Sequence, residues 1–547
     1  MKILKPICVV AVSIATLTSC SSIKNMTVPT MDTAVSIAAK KGAVSDEDFK
    51  HWAHADLATD TIPGMSLDKA YKFLEGKTGE TVIVAVIDSG IDIEHEDLKD
   101  DIWTNPKEIA GNNIDDDKNG YVDDINGWNF LGGNNVDAPE QLEITRIVAK
   151  LNKRFEGKTA DNISAEEKGD FEKYQDYLKA YEKASSRHFQ TLERLVQIEG
   201  VLNSVKDFIG KKGELTLEDL KAVKTDDEKI KAEVGGLMPM FNNGFDEKGF
   251  NEYYASQKKN KNYDLDYDGR AIVGDQPDNI LDLGYGNPNV IGSKDDEIHG
   301  THVSGIILAT RNNGVGMNGV ATNAKLMSVR AVPDGDERDK DVALAIRYAV
   351  DNGAKVVNMS FGKSFSPNRN WVIDAIKYAE KHDVLLVHAA GNSNEDIDVE
   401  SNWPNDSYDK ITEVADNVLT IGAMSINYNE NLTATFSNYG KKNVDVFAPG
   451  VKIYSTFPKD EYQAISGTSM ASPEAAGVAT LVRSYYPQLS ASQVKHILMN
   501  SGTEVDMDVL LPGGEGKKVK FSSLSVSGKI VNAYNALVLA DKMVNKK

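Results

Sequence analysis

The chain has 547 residues, 41% of them apolar and 26% charged, enough for one large domain with insertions or two or three average ones. Its formal charge of −21, with no basic run to neutralise phosphates, excludes nucleic acid as a partner. The acidity serves solubility or holds cations.

Lys2 and Lys5 open the chain, a short apolar run follows from Ile7 to Leu17, and Thr18-Ser19 leads to Cys20. The run is too short to span a bilayer, so residues 1–19 read as a cleavable export signal. Leu17-Thr18-Ser19-Cys20 resembles a bacterial lipobox. That implies cleavage before Cys20, lipidation of Cys20, and a body anchored through lipid on the membrane of a bacterial cell envelope (outer membrane or cell surface). Cys8 and Cys20 are the only cysteines, so the exported body can form no internal disulfide. Residues 20–47 are Ser-, Thr- and Ala-rich and read as a linker, with the folded domain over 48–547.

From there strands and helices alternate. Thr81–Ile87 is a continuous β-branched run, as in a strand covered on both faces. Lys325–Val332, Ala354–Met359, Val384–Ala389 and Val418–Ala423 repeat the pattern, with helices predicted over Val342–Asp351 and Trp371–His382. This alternation predicts an α/β fold with a doubly wound parallel sheet. Residues 134–260 break the rhythm. They are Lys/Glu-rich, carry an apolar stripe through Phe171, Tyr174, Leu178, Tyr181, Leu192, Leu195, Leu202 and Val205, and read as a helical insertion with its own core.

Four segments fall at strand or helix ends, where α/β proteins place their chemistry. They are Ile87-Asp88-Ser89-Gly90, His299-Gly300-Thr301-His302-Val303-Ser304-Gly305, Ala389-Ala390-Gly391-Asn392 and Gly467-Thr468-Ser469-Met470-Ala471-Ser472-Pro473. A serine hydroxyl becomes nucleophilic when an imidazole takes its proton, and the imidazole needs a carboxylate to fix its tautomer. An amide side chain and a helix N-terminal N–H suit the oxyanion that then forms.

These four segments, in the order Asp, His, Asn, Ser, resemble those of the subtilisin family, and the resemblance runs from about 50 to 540 apart from the insertion. It implies serine endopeptidase activity on peptides or proteins, with Asp88 orienting, His299 as base, Ser469 as nucleophile and Asn392 as oxyanion donor. It also implies that Ser360-Phe361-Gly362 pairs with an extended substrate, that Ala389-Ala390-Gly391 forms the opposite pocket wall, and that His302 is structural. Activity is expected to rise as His299 deprotonates, around pH 6 to 7. A peptide-binding protein on the same scaffold, its cleft closed by the insertion, is the alternative. Asp88 and His299 stand 211 positions apart because the insertion falls between them, and Glu474 takes a position where many relatives carry His.

Two acidic loops have oxygen ligands at alternate positions, as Ca²⁺ loops do. One is Asp115-Asp116-Asp117-Lys118-Asn119-Gly120 with Asp123; the other is Asp264-Leu265-Asp266-Tyr267-Asp268-Gly269 with Asp275. Neither ends in the usual Glu, and a solvated acidic turn explains each equally well. By resemblance to the family's calcium site, Asp97 with Asn313 and Val315 forms a third candidate. Structural Ca²⁺ is the one cofactor expected; the oligomeric state is not legible.

Overall fold

Apolar runs without alternation require cover on both faces, and the chain supplies it. The computed structural model describes residues 26–35, 45, 49–132, 139–293 and 297–545. Thirteen strands form among them: β1 (Val82–Asp88), β2 (Gly127–Asn129), β3 (Ala324–Arg330), β4 (Val356–Met359), β5 (Leu385–Ala389), β6 (Val418–Met424), β7 (Val446–Pro449), β8 (Ile453–Phe457), β9 (Glu461–Ile465), β10 (Thr503–Glu504), β11 (Asp508–Leu510), β12 (Lys518–Lys520) and β13 (Lys529–Ile530). Nine make one sheet in the order β10-β13-β7-β6-β5-β4-β1-β3-β2. All its pairings are parallel except β10 with β13.

Side chains leave the sheet alternately. Val82, Val84 and Val86 of β1 enter one apolar cluster, while Ala85 and Ile87 enter another. The first cluster is closed by helices α1 (Leu67–Leu74), α2 (Ile298–Leu308), α5 (Thr468–Tyr485), α6 (Ala491–Ser501) and α7 (Ala533–Val544). The second is closed by α3 (Asp339–Asp351) and α4 (Arg369–Lys381). This is the expected α/β architecture of a parallel sheet between two helical layers. Each fully buried Ile or Leu contributes roughly 1.5–3 kcal/mol to it. Among the described residues no helix is long and apolar enough to cross a membrane.

The sheet and its helices form one unit. The second unit comprises Pro139–Gly269 with Asp334–Asp336, so it ends beyond the expected Asn260 and takes in Asp264, Asp266 and Asp268. It is helical, with a 42-residue helix from Lys168 to Ile209. The predicted stripe does face an internal core: Phe171 and Tyr174 pack with Phe155, and Leu195, Leu202 and Val205 pack with Leu220, Leu237, Phe241, Phe250 and Tyr254. Thr216 and Asp219 form a reciprocal capping box, satisfying two backbone N–H groups at a helix start.

The linker expected over 20–47 is tied down in part. Met31 N–H donates to Asn500 O, Thr33 Oγ1 to Gly502 O, Asn500 Nδ2 to Val28 O and Gln493 Nε2 to Met26 O. Val28 is buried in the first cluster. Its small and polar composition hid this, because its bonds run to groups more than 460 residues away. Cys20 and the export signal lie outside the described residues. Val28→Asp places an unpaired carboxylate in that cluster and is expected to lower unfolding free energy by about 1–3 kcal/mol, read from the denaturant midpoint.

Candidate active site

The sheet's parallel register brings the carboxyl ends of β1, β4 and β5 side by side, and two of the four segments, those of Asp88 and Asn392, begin there. Asp88 ends β1 and is 1% exposed. His299 lies in the first turn of α2, whose Gly300 packs against the turn after β1: a Cβ at Gly300 would lie 2.1 Å from Gly90 O. That close approach requires glycine and delivers the imidazole to the carboxylate. His299 Nδ1 and Asp88 Oδ1 are 2.7 Å apart, Ser89 N–H donates to the same oxygen, and Asp88 Oδ2 is buried with no hydrogen-bond partner among the described residues.

Burial opposes the charged imidazole, but the charge of Asp88 and its hydrogen bond outweigh it, so the pKa of His299 is raised above the ordinary 6.5. A histidine whose pKa rises on folding adds stability in full below the unfolded value. It loses that contribution as pH climbs through the folded value. The neutral base is available only above the same value, so the active limb is shifted upward from the pH 6 to 7 expected of a free imidazole. His302, one turn on, is fully buried, bonds Gln463 O through Nε2, and is held neutral by burial with its pKa lowered to about 4. It is structural, as expected.

Ser469 opens α5, which packs against α2. Its hydroxyl donates to Ser360 O at 3.0 Å, and the Ser360 hydroxyl returns a bond to Ser469 O at 2.9 Å. The serine therefore rests on the end of β4 instead of on His299; catalytic hydrogen bonds are often unmade before substrate arrives. Asn392 Oδ1 accepts from Thr468 N–H at 2.9 Å and from Thr468 Oγ1 at 3.0 Å, and Thr468 Oγ1 accepts from Gly391 N–H. With its oxygen used twice, Asn392 can present only Nδ2 outward. A Cβ built on Gly467 would lie 3.6 Å from Asn392 Nδ2 and 3.6 Å from Ser469 N. Two donors thus face one small space that a side chain at 467 would fill. Sequence reading named Asn392 and a helix N-terminal N–H but missed Thr468, which holds the Asn392 oxygen, and Gly467, whose missing side chain leaves that space clear.

Of the expected substrate walls, Ser360 is buried and Gly362 exposed after β4, while Phe361 packs against the second cluster and its carbonyl accepts from His388 Nε2. Ala389 and Ala390 are buried, so that wall offers backbone and Gly391. Asn438 braces it, donating from Nδ2 to Ala390 O and from N–H to Gly391 O.

Glu474, on α5, is 1% exposed with Oε2 unpartnered, and burial raises its pKa well above 4.5. It lines a small cavity with Trp52, His54 and Met317, and takes no part in the triad geometry.

The cation candidates divide. In the first loop, carboxylate oxygens of Glu108, Asp115 and Asp117 lie within 4.8 Å of one another, the one such group of three among the described residues. Gly120, at φ +97°, makes the turn. Asp123 instead accepts from Gly111 and Asn113 N–H, and Asn119 bonds Tyr121 N–H and Asp124. Both close the loop, and Glu108, unnamed by the spacing, takes their place in the group. In the second loop Asp275 is ion-paired with Arg270 and Lys340, and Asp264 with Lys261; Asp266 donates its N–H to Asp264, and Asp268 joins no group of three. Those cations already supply the charge that a metal would bring. At the third site Asp97 is fully buried and accepts from Asn313 Nδ2 at 2.6 Å and Met317 N–H at 3.3 Å, and burial raises its pKa. Val315 is bonded through its N–H to Asn313 Oδ1.

Residues 79–516 match the family described as the subtilase family, Peptidase_S8. The chain belongs to the subtilase family. Its relatives are serine proteases: subtilisin DY of Bacillus licheniformis is 37% identical over 211 residues, 38% of this chain and 71% of that protein. The thermophilic serine proteinase of Bacillus sp. (strain AK1) is 39% identical over 221 residues, 40% of this chain and 48% of that one. A solved structure among the proteases of Pseudoalteromonas arctica PAMC 21717 aligns at 29% identity with a TM-score of 0.36, covering 44% of this chain and 70% of that one.

Two outcomes are expected for this subtilase. Gly467→Ala puts a methyl between the two donors and should lower kcat by about 10²–10³ with little change in KM, measured on a peptide substrate. The kcat/KM profile should rise through an ionisation above pH 6.5 in the wild type, and Asp88→Asn, leaving only burial, should move the residual limb below 6.5.

Proposed function

We propose that the chain is a serine endopeptidase that cleaves peptide bonds through an acyl-enzyme on Ser469. The observation that carries this is the 2.7 Å pairing of His299 with buried Asp88, with Asn392 Nδ2 and Ser469 N each 3.6 Å from where a side chain at Gly467 would begin. His299 accepts the hydroxyl proton through Nε2, Asp88 holds Nδ1 and favours the imidazolium, and the two N–H donors receive the oxyanion. His299 then returns the proton to the leaving amine, and water repeats the cycle to release the acyl group. The end of β4 pairs with extended backbone, so loops and unfolded segments of proteins are the substrates. Ser469→Ala should lower turnover of a denatured protein by more than about a thousandfold while leaving the thermal midpoint within a few degrees. A variant that still digests it at the wild-type rate contradicts the reading.

Structural Ca²⁺ belongs to the same proposal. Three converging carboxylates with a glycine turn fit a hard cation, and Glu108, Asp115 and Asp117 would hold it. Asp97 would hold a second, its buried carboxylate being faced by an amide and one N–H only. Chelation is expected to lower the thermal midpoint, and Asp115→Asn with Asp117→Asn should remove part of that dependence; an unchanged midpoint contradicts it.

Lipidation at Cys20 on a bacterial envelope completes the reading. Met26 is bonded to Gln493 in the first turn of α6, and Ala491 N–H to Asp383 just ahead of β5. That is the amino end of the sheet, opposite Asp88 and Asn392. Six residues span at most about 22 Å, which supports a cleft turned away from the membrane.

A further inference from the structure

Asp88 and His299 are 211 positions apart, and a catalytic pair works only when held within about 0.5 Å of its productive geometry. The turn after β1 must therefore be fastened to the start of α2. One side chain touches both. Arg330, the last residue of β3, stands beside Asp88 in the sheet register and is 3% exposed. Its Nε donates to Ser89 O, on the residue after the acid. Its Nη2 donates to Glu297 Oε1 at 3.0 Å, two residues before the base.

Glu297 is buried as well, and it presses on the same turn. A Cβ built on Gly90 would lie 3.0 Å from Glu297 Cδ, and Ser293 N–H donates to Glu297 Oε1. Gly292 makes room for the pair: a Cβ there would lie 2.2 Å from Glu297 Oε1 and 2.6 Å from Arg330 Nε. Burial pushes the Glu297 carboxyl up, and the Arg330 guanidinium opposes that rise. Two apolar side chains would fill such a site without the desolvation of two charges. A guanidinium instead divides its fork of donors between two fixed acceptors, one on each element, which sets direction as well as distance.

We propose that Arg330 and Glu297 are positioning residues: their ion pair clamps the turn carrying Asp88 to the helix start carrying His299, and so sets the contact through which the acid orients the base. This rests on the endopeptidase reading. Asp88, Asp92, His302 and Glu474 also face or belong to α2. None of these is touched when the pair is altered, so a shift in the ionisation of His299 reports the pair itself.

The test compares the wild type with Glu297→Gln, Arg330→Gln, Arg330→Lys and Glu297→Asp on one peptide substrate, well below each thermal midpoint, with casein digestion alongside. Both Gln variants should lose about 10–100-fold in kcat with KM within about twofold, because the base is misplaced while the cleft is not. Glu297→Gln also leaves the guanidinium unbalanced and should move the rising limb of kcat/KM to lower pH. Arg330→Lys keeps the charge and should recover most of the kcat that Arg330→Gln loses. Where a Gln variant does not fold, Glu297→Asp decides: it keeps the charge, shortens the reach by one methylene, and should lower kcat with KM kept. Folded Gln variants with wild-type kcat and an unmoved limb overturn the proposal, as does a Glu297→Asp of wild-type kcat. A wild type that digests neither peptide nor casein overturns the endopeptidase reading itself, and with it this one.

Discussion

A carboxylate in a dry site must find a positive or hydrogen-bonding partner, and Asp88 finds an imidazole and one backbone N–H. The rest of the site depends on this constraint. Asp88 ends a strand buried on both faces, one of its oxygens meets Ser89 N–H and His299, and the other has no hydrogen-bond partner among the described residues. The geometry fixes the ring of His299, its tautomer and its raised affinity for a proton together. A base held in this way is useful only beside a hydroxyl and N–H donors, and the start of α5 places Ser469 while the turn after β5 places Asn392.

The parallel sheet is what makes the convergence possible. Asp88, Ser360 and Gly391 are distant in sequence, but β1, β4 and β5 are adjacent, so their carboxyl ends form one rim. Helices α2 and α5 then bring His299 and Ser469 in from a single face, packed on each other. Thr468 illustrates the economy of the arrangement. Its N–H and hydroxyl both bind Asn392 Oδ1, so the residue next to the serine also aims the side-chain donor.

Much of this was legible in the chain before folding. Continuous runs such as Val82–Ile87 can be satisfied only in a covered parallel strand, and Asp, His, Asn and Ser motifs at such junctions have few other uses. What escaped was set by long-range geometry. Asp275 had the spacing of a metal ligand, yet Lys340 arrives from 65 positions away and neutralises it. Glu108 lay outside the repeating pattern, yet Asp117 N–H donates to its Oε1 and the carboxylates of Asp115 and Asp117 converge on it. Met26–Thr33 looked like tether because it carries no periodic pattern, while its bonds run to backbone and side chains far along the chain.

The most direct measurement is to expose the protein to a fluorophosphonate at pH 8 and locate the adduct by peptide mass mapping. A base-activated hydroxyl at this site predicts stoichiometric phosphorylation of Ser469 in the wild type and its loss in His299→Ala, with no other serine modified. An intact wild-type protein that remains unlabelled, or one labelled equally well without His299, would contradict the account.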